Sequence, residues 1–212
     1  MQNIFILATN TCFWLACFIE DLKNYKGIYE IKNRDFSKPM AILIDDFNFF
    51  EKNKILSKKQ IDFLKNYKNP FTILVSTEKL KKIGKKKSVL KKILKTIKKL
   101  PNSQKYEKIA FRVAHDFEQK KLTKWWKALF LTSANKSGNP EIFSCEKIEK
   151  EFEKEIKNFW IKVLAEKDFS INSKQKSSDI FEFVGDSLEI VYFRTPLPAS
   201  PPTGERSSYK KN

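Results

Sequence analysis

Leu131-Thr132-Ser133-Ala134-Asn135-Lys136-Ser137-Gly138 is the stretch on which the reading of this chain turns. The residues just before it, Ala128-Leu129-Phe130-Leu131, form a short apolar run that predicts a buried strand. The chain then passes abruptly into Thr, Ser, Asn and Gly, which places hydroxyl, amide and backbone groups in one compact loop. In open α/β sheets, ligands sit beyond the carboxyl ends of strands. The loop therefore has two readings: one wall of a polar ligand site, or a turn whose hydroxyls cap the next helix.

Outward from this loop, strands are expected at Ile4–Ala8, Met40–Ile44, Phe71–Val75, Lys108–Val113 and Trp160–Leu164. Ile180–Val184 and Leu188–Phe193 alternate around Gly185-Asp186 and predict a hairpin. Between the strands, helix is expected over Cys12–Asn24, with a break at Gly27 and with Ile28–Lys32 as helix or turn. Asp45–Lys68 reads as mostly helical, with Ser57 as an N-cap and Pro70 ending the element. Phe117–Lys127 and the Glu/Lys-laced Cys145–Phe159 are further helices. Strands alternating with helices give an α/β class. The expected organisation is one domain over residues 1–194, followed by a disordered Pro/Ser/Lys tail over 195–212.

The net charge is +17, from 42 basic and 25 acidic residues, which favours polyanionic partners: nucleotide phosphates, RNA, DNA or an anionic membrane surface. Lys79–Lys108 holds 13 Lys and one Glu, with Leu90, Ile93, Leu94 and Ile97 at helical spacing. It reads as a basic amphipathic helix, either docked on a core by its apolar face or offered to phosphates or a membrane surface. The three cysteines, Cys12, Cys17 and Cys145, show neither metal-ligand spacing nor an even disulfide set, so reduced thiols in a cytoplasmic protein are expected. No run reaches the roughly 18 apolar residues of a membrane span. The apolar start, Met1–Ile19, lacks a basic lead and is broken by Thr9-Asn10-Thr11, so it is not read as a signal peptide.

Several chemistries are unsupported by the residues present. One histidine, His115, serves the whole chain, which leaves no Ser-His-Asp set; beside Asp116 it reads as a surface or capping residue. Gly84-Lys85-Lys86-Lys87-Ser88 lacks the upstream glycine and strand of a phosphate loop. No metal-ligand cluster is apparent. What remains is a set of cations and hydroxyls at strand ends, above all Lys32, Arg34 and Lys38 within seven residues. Cations so placed neutralise and orient a polyphosphate, or they form an ordinary basic turn.

Taken in order, these segments resemble the YrdC/Sua5 family. Ile6–Ala16 is similar to its "PTDTVYGLA" opening, and Lys32-Asn33-Arg34 with Lys38-Pro39-Met40 to its "KxR…PL" segment. Pro70–Val75 resembles "PGPxT", Ala110–Val113 resembles "VRVP", and Leu131–Gly138 matches "TSANxSG" closely. Ser178-Asp179-Ile180 resembles the late "STIVD" segment, and Arg194 the arginine after it. The resemblance implies a twisted mixed α/β sheet flanked by helices, with a basic concave cavity.

It also implies synthesis of L-threonylcarbamoyl-adenylate from L-threonine, bicarbonate and ATP with release of pyrophosphate. Mg²⁺ would accompany the ATP. The product would pass to a downstream threonylcarbamoyl transferase complex that modifies adenosine in tRNAs reading ANN codons. By the same resemblance, Lys32, Arg34, Lys38, Thr72, Ser133, Asn135 and Arg194 hold ATP, with Lys32 and Arg34 counted as catalytic. Thr11, Arg112 and Ser178 hold L-threonine, Arg112 pairing with its carboxylate. The chain departs from the family pattern at Ala8 for Pro, Asn10 for an acidic residue, Phe13 for Tyr, Trp14 for Gly and Ala114 for Pro. A second reading keeps the fold and drops the chemistry: a non-catalytic double-stranded RNA or tRNA-binding protein.

Overall fold

The computed structural model describes residues 4–9, 11–83, 88–101, 106–126, 128–158, 160–165 and 178–194. The tail expected over 195–212 lies outside them. Nine strands make one mixed sheet: β1 (Ile4–Ala8), β2 (Phe13–Phe18), β3 (Ala41–Ile44), β4 (Phe71–Ser76), β5 (Lys108–Val113), β6 (Ala128–Ser133), β7 (Ile161–Leu164), β8 (Asp179–Phe183) and β9 (Ile190–Arg194). Their spatial order is β7-β1-β2-β6-β3-β5-β4-β8-β9. The pairs β1–β7, β3–β5 and β4–β8 are parallel and the rest antiparallel.

The sheet carries two unequal cores. One face buries Ile6, Leu15, Ile42, Ile73, Phe111 and Phe130 against α1 (Leu22–Lys32), α3 (Lys58–Lys65) and α5 (Ser88–Ile97). The other face buries Leu7, Ala16, Phe18, Leu43, Leu129 and Leu131, with Leu122 of α6 (Phe117–Trp126) packed on it. Arg112 alternates with Phe111 and Val113 along β5, and Thr72 with Phe71 and Ile73 along β4, so both lie on this second face. The smaller core leaves room for polar side chains at that end of the sheet.

The N-terminal region corrects the expectation of a helix from Cys12. Phe13–Phe18 is a strand, paired antiparallel to β1 on one side and to β6 on the other. A strand covered on both faces is apolar throughout, so its sequence loses the alternation that marks a half-exposed strand. The helix starts later: Asp21 is the N-cap of α1, accepting from the Asn24 N–H. Gly27 does not break α1. The buried stripe of Tyr25, Ile28, Tyr29 and Lys32 holds the helix through it, against the roughly 1 kcal/mol that glycine costs there.

Two expected helices are each split. Asp45–Lys68 gives α2 (Asn48–Lys52) and α3, the latter started by a capping box between Ser57 and Gln60. Cys145–Phe159 gives α7 (Cys145–Glu151) and α8 (Glu153–Lys157), divided at the buried Phe152. The Lys-rich segment is also two helices, α4 (Thr77–Ile83) and α5. Leu90, Ile93 and Ile97 of α5 are buried while Lys91, Lys92 and Lys95 are exposed, so the apolar face is docked on the core.

Candidate functional site

Two polar groups gather the residues singled out above. The first is built where the C-terminus of α1 meets the loop after β6. Lys32, the last residue of α1, is buried to 1% exposure. Its ammonium donates to the Ser133 carbonyl at 2.5 Å and to the Asn135 carbonyl. The Ser137 N–H returns a bond to the Lys32 carbonyl at 2.9 Å. The helix can end there because Asn33 takes the left-handed conformation, φ 48°. Burial, then the charge of Arg34, lowers the Lys32 pKa from its usual 10.5 to about 8, with Cys12 acting the other way.

The sequence does not show this arrangement, because the acceptors are backbone carbonyls a hundred residues away. Within the same loop, Asn135 Nδ2 donates to the Lys136 and Asn139 carbonyls. That fixes the amide and leaves its buried Oδ1 without a partner among the described residues. Asn135 also lines a cleft of about 310 Å³ with Glu141, Lys147, Lys150 and Glu151.

Arg34 lies beside this group. Its guanidinium bonds the Lys38 carbonyl at 3.1 Å and the Pro39 carbonyl at 3.3 Å, and it lies 6.0 Å from the Tyr29 ring centroid. Tyr29 Oη donates to the same Lys38 carbonyl at 2.8 Å. Arg34 and Tyr29 therefore shape the turn into β3, a supporting role for Tyr29 that no motif signalled. The Lys38 side chain itself is exposed.

The second group spans the sheet from the turn after β1 to the start of β8. Arg112, 2% exposed, directs Nη1 to Ser178 Oγ at 3.3 Å. Ser178 Oγ lies 3.4 Å from Thr72 Oγ1. On its other side the Arg112 guanidinium lies 4.3 Å from the Trp14 ring centroid. Trp14 Nε1 donates to Thr11 Oγ1 at 3.2 Å. Thr11 Oγ1 in turn lies 3.1 Å from Thr9 Oγ1, which accepts from the Thr11 and Cys12 N–H groups and donates to the Cys12 carbonyl. Thr9 is the organiser of this turn, and nothing in the sequence marked it as more than a strand terminator.

Thr11, Arg112 and Ser178 thus form one connected network, joined by Thr72. Lys32, Arg34, Ser133 and Asn135 form the other group. The two meet along β2 and β6, where Trp14 is paired with Ser133. Arg194 pairs with Ile180 through the backbone, and its side chain lies outside the described residues.

His115 is at the surface, one of the two places expected for it, and takes part in the start of α6 through its backbone only. Its N–H donates to Gln119 Oε1, and Asp116 accepts from the Gln119 N–H at the start of α6. Cys12, Cys17 and Cys145 are all buried, and no disulfide joins them. Burial, with Glu141 next, pushes Cys12 up to about 12, so it is no nucleophile near neutral pH. Among the described residues, no three His, Cys, Asp or Glu side chains are grouped to hold a metal ion, and no helix is long and apolar enough to cross a membrane.

The sequence matches the family model of Sua5, YciO and YrdC proteins, described as telomere recombination, over residues 1–191. The chain belongs to the Sua5/YciO/YrdC family. Solved structures of this family share the fold. Escherichia coli YciO aligns with a TM-score of 0.64 at 15% identity, over 92% of this chain and 84% of YciO. Sua5 of P. abyssi in complex with L-threonine gives 0.62 at 20% identity, over 91% of this chain and 50% of Sua5. A nucleotide-bound HypF gives 0.63 at 16% identity, over 91% of this chain and 26% of HypF. The chain spans about half the length of the Sua5 structures it matches. No curated protein matches it. At these identities the likeness to the Sua5/YciO/YrdC structures concerns the fold.

Proposed function

We propose that this Sua5/YciO/YrdC chain is an L-threonylcarbamoyl-adenylate synthase serving tRNA modification. The observation that carries the reading is the buried network of Thr11, Arg112 and Ser178 on one sheet face. It stands next to a buried ammonium held by the Ser133 and Asn135 carbonyls. A guanidinium fork with a hydroxyl beside it suits a carboxylate. A lysine with carbonyl partners suits a phosphate, because an ammonium has three donors and two carbonyls take only two.

The reaction asks for positioning more than for a protein nucleophile. The threonine amine and bicarbonate form a carbamate, releasing water. A carbamate oxygen then attacks the α-phosphorus of ATP, the bond from that phosphorus to the bridging oxygen breaks, and pyrophosphate leaves. Charge accumulates on the phosphates as this proceeds, and fixed cations offset it. Lys32 supplies its third donor, Arg34 and Lys38 add charge near the turn into β3, and Mg²⁺ arrives with the ATP. Arg112 orients the threonine carboxylate and the Thr11 and Ser178 hydroxyls bracket it.

Incubation with ATP, radiolabelled bicarbonate and L-threonine tests the reading, which expects pyrophosphate release that depends on threonine. The exposed lysines of α5 favour a second reading, non-catalytic binding of double-stranded RNA or tRNA. Tight salt-dependent RNA binding with no turnover in that assay would select it.

A further inference from the structure

Trp14 lies on the site face of β2, between Leu7 of β1 and Ser133 of β6. Its indole holds two of the three residues assigned above to the amino acid. Nε1 donates to the Thr11 hydroxyl at 3.2 Å. The ring carries the Arg112 guanidinium 4.3 Å from its centroid. Thr11 and Arg112 are 1% and 2% exposed, so neither contact is diluted by bulk water. Cation–π contacts are stronger when desolvated than at an open surface. Trp14 itself is only partly buried, which leaves the ring a solvent side towards which it can move.

We propose that Trp14 is a plug in the amino-acid subsite. Its indole occupies the space between Thr11 and Arg112 where a small amino acid would lie. The amino acid binds only when the ring swings out and gives up both contacts. The proposal rests on the reading of this face as an amino-acid subsite. Apparent affinity for the amino acid is then the intrinsic affinity scaled by the fraction of molecules with the ring displaced. The ammonium group at Lys32 is assembled from backbone carbonyls and does not use the indole.

The test is equilibrium dialysis of the full chain, W14G and W14F against radiolabelled L-threonine and, separately, against ATP. Loss of one cation–π contact to a buried guanidinium and one partly buried hydrogen bond should tighten threonine binding by W14G about tenfold or more. W14F keeps a ring under Arg112 and loses the bond to Thr11, so it should tighten threonine binding about two- to fivefold. ATP affinity should move less than about twofold in each.

A W14G chain that binds ATP like the parent but threonine no tighter overturns the plug and leaves the subsite standing. If neither chain binds threonine while both bind ATP, the plug and the amino-acid reading fall together. Should W14G fail to fold by circular dichroism, W14F decides: threonine affinity equal to the parent's overturns the proposal.

Discussion

The two walls of the candidate site are built on opposite plans. On the wall formed by the end of α1 and the loop after β6, the polar contacts run between a side chain and the backbone: Lys32 to the Ser133 and Asn135 carbonyls, Asn135 to the Lys136 and Asn139 carbonyls. Such a wall keeps capacity in hand, a third proton on Lys32 and a buried Oδ1 on Asn135. On the wall formed by the β1–β2 turn, hydroxyls, indole and guanidinium engage one another: Thr9 with Thr11, Thr11 with Trp14, Trp14 with Arg112. A ligand on the first wall adds contacts. A ligand on the second must exchange them, so its net gain is smaller for the same chemistry.

The largest effect should come from the guanidinium at the centre of the second wall. Arg112→Lys keeps the charge but loses the guanidinium fork that takes the carboxylate. Threonine-dependent pyrophosphate release should fall about a hundredfold or more, with ATP affinity nearly unchanged. Steady-state kinetics beside ATP dialysis would show it, and a variant with parental turnover would remove Arg112 from the carboxylate role.

Lys32→Met makes the matching change on the first wall. ATP affinity should weaken about tenfold, and threonine affinity should hold. Lys32 also gives this wall a pH signature. Its pKa, lowered to about 8, means that the ammonium loses a proton as pH rises through that value. ATP affinity should therefore be highest below pH 8 and decline above it, and the decline should be shallower in Lys32→Met. Folding stability without ligand moves the opposite way. The unfolded lysine holds its proton up to its usual 10.5, so the unfolded state binds more protons between about 8 and 10.5 and the native state gains with rising pH there. Thermal melts of the two chains across that window should diverge with this sign.

Most strands could be read from the chain because β-branched and aromatic runs at Ile4–Ala8 and Phe71–Ser76, and the short apolar run Ala128–Leu131 before a polar loop, leave little choice. Phe13–Phe18 could not, since an apolar run covered on both faces has no alternation to separate strand from helix. The cations and hydroxyls of the site could be named from motif spacing. Their partners could not, because the carbonyls that receive Lys32 carry no side-chain signature. Trp14 was visible as a misfit with the family pattern, yet only the fold brings it to Arg112, 98 positions further along the chain.

Thr72 gives the smallest effect and the finest division between the walls. Motif order assigns its hydroxyl to ATP, whereas the fold sets it 3.4 Å from Ser178 Oγ, the same atom that receives Arg112. At that distance the bond is weak, and Thr72→Val keeps the side chain's shape while deleting it. If Thr72 works through Ser178, KM for threonine should rise about twofold and KM for ATP should stay put. The reverse pattern would mean that the β4 hydroxyl faces the nucleotide. The boundary between the two walls would then run between Thr72 and Ser178, with Ser178 and Arg112 on the amino-acid side.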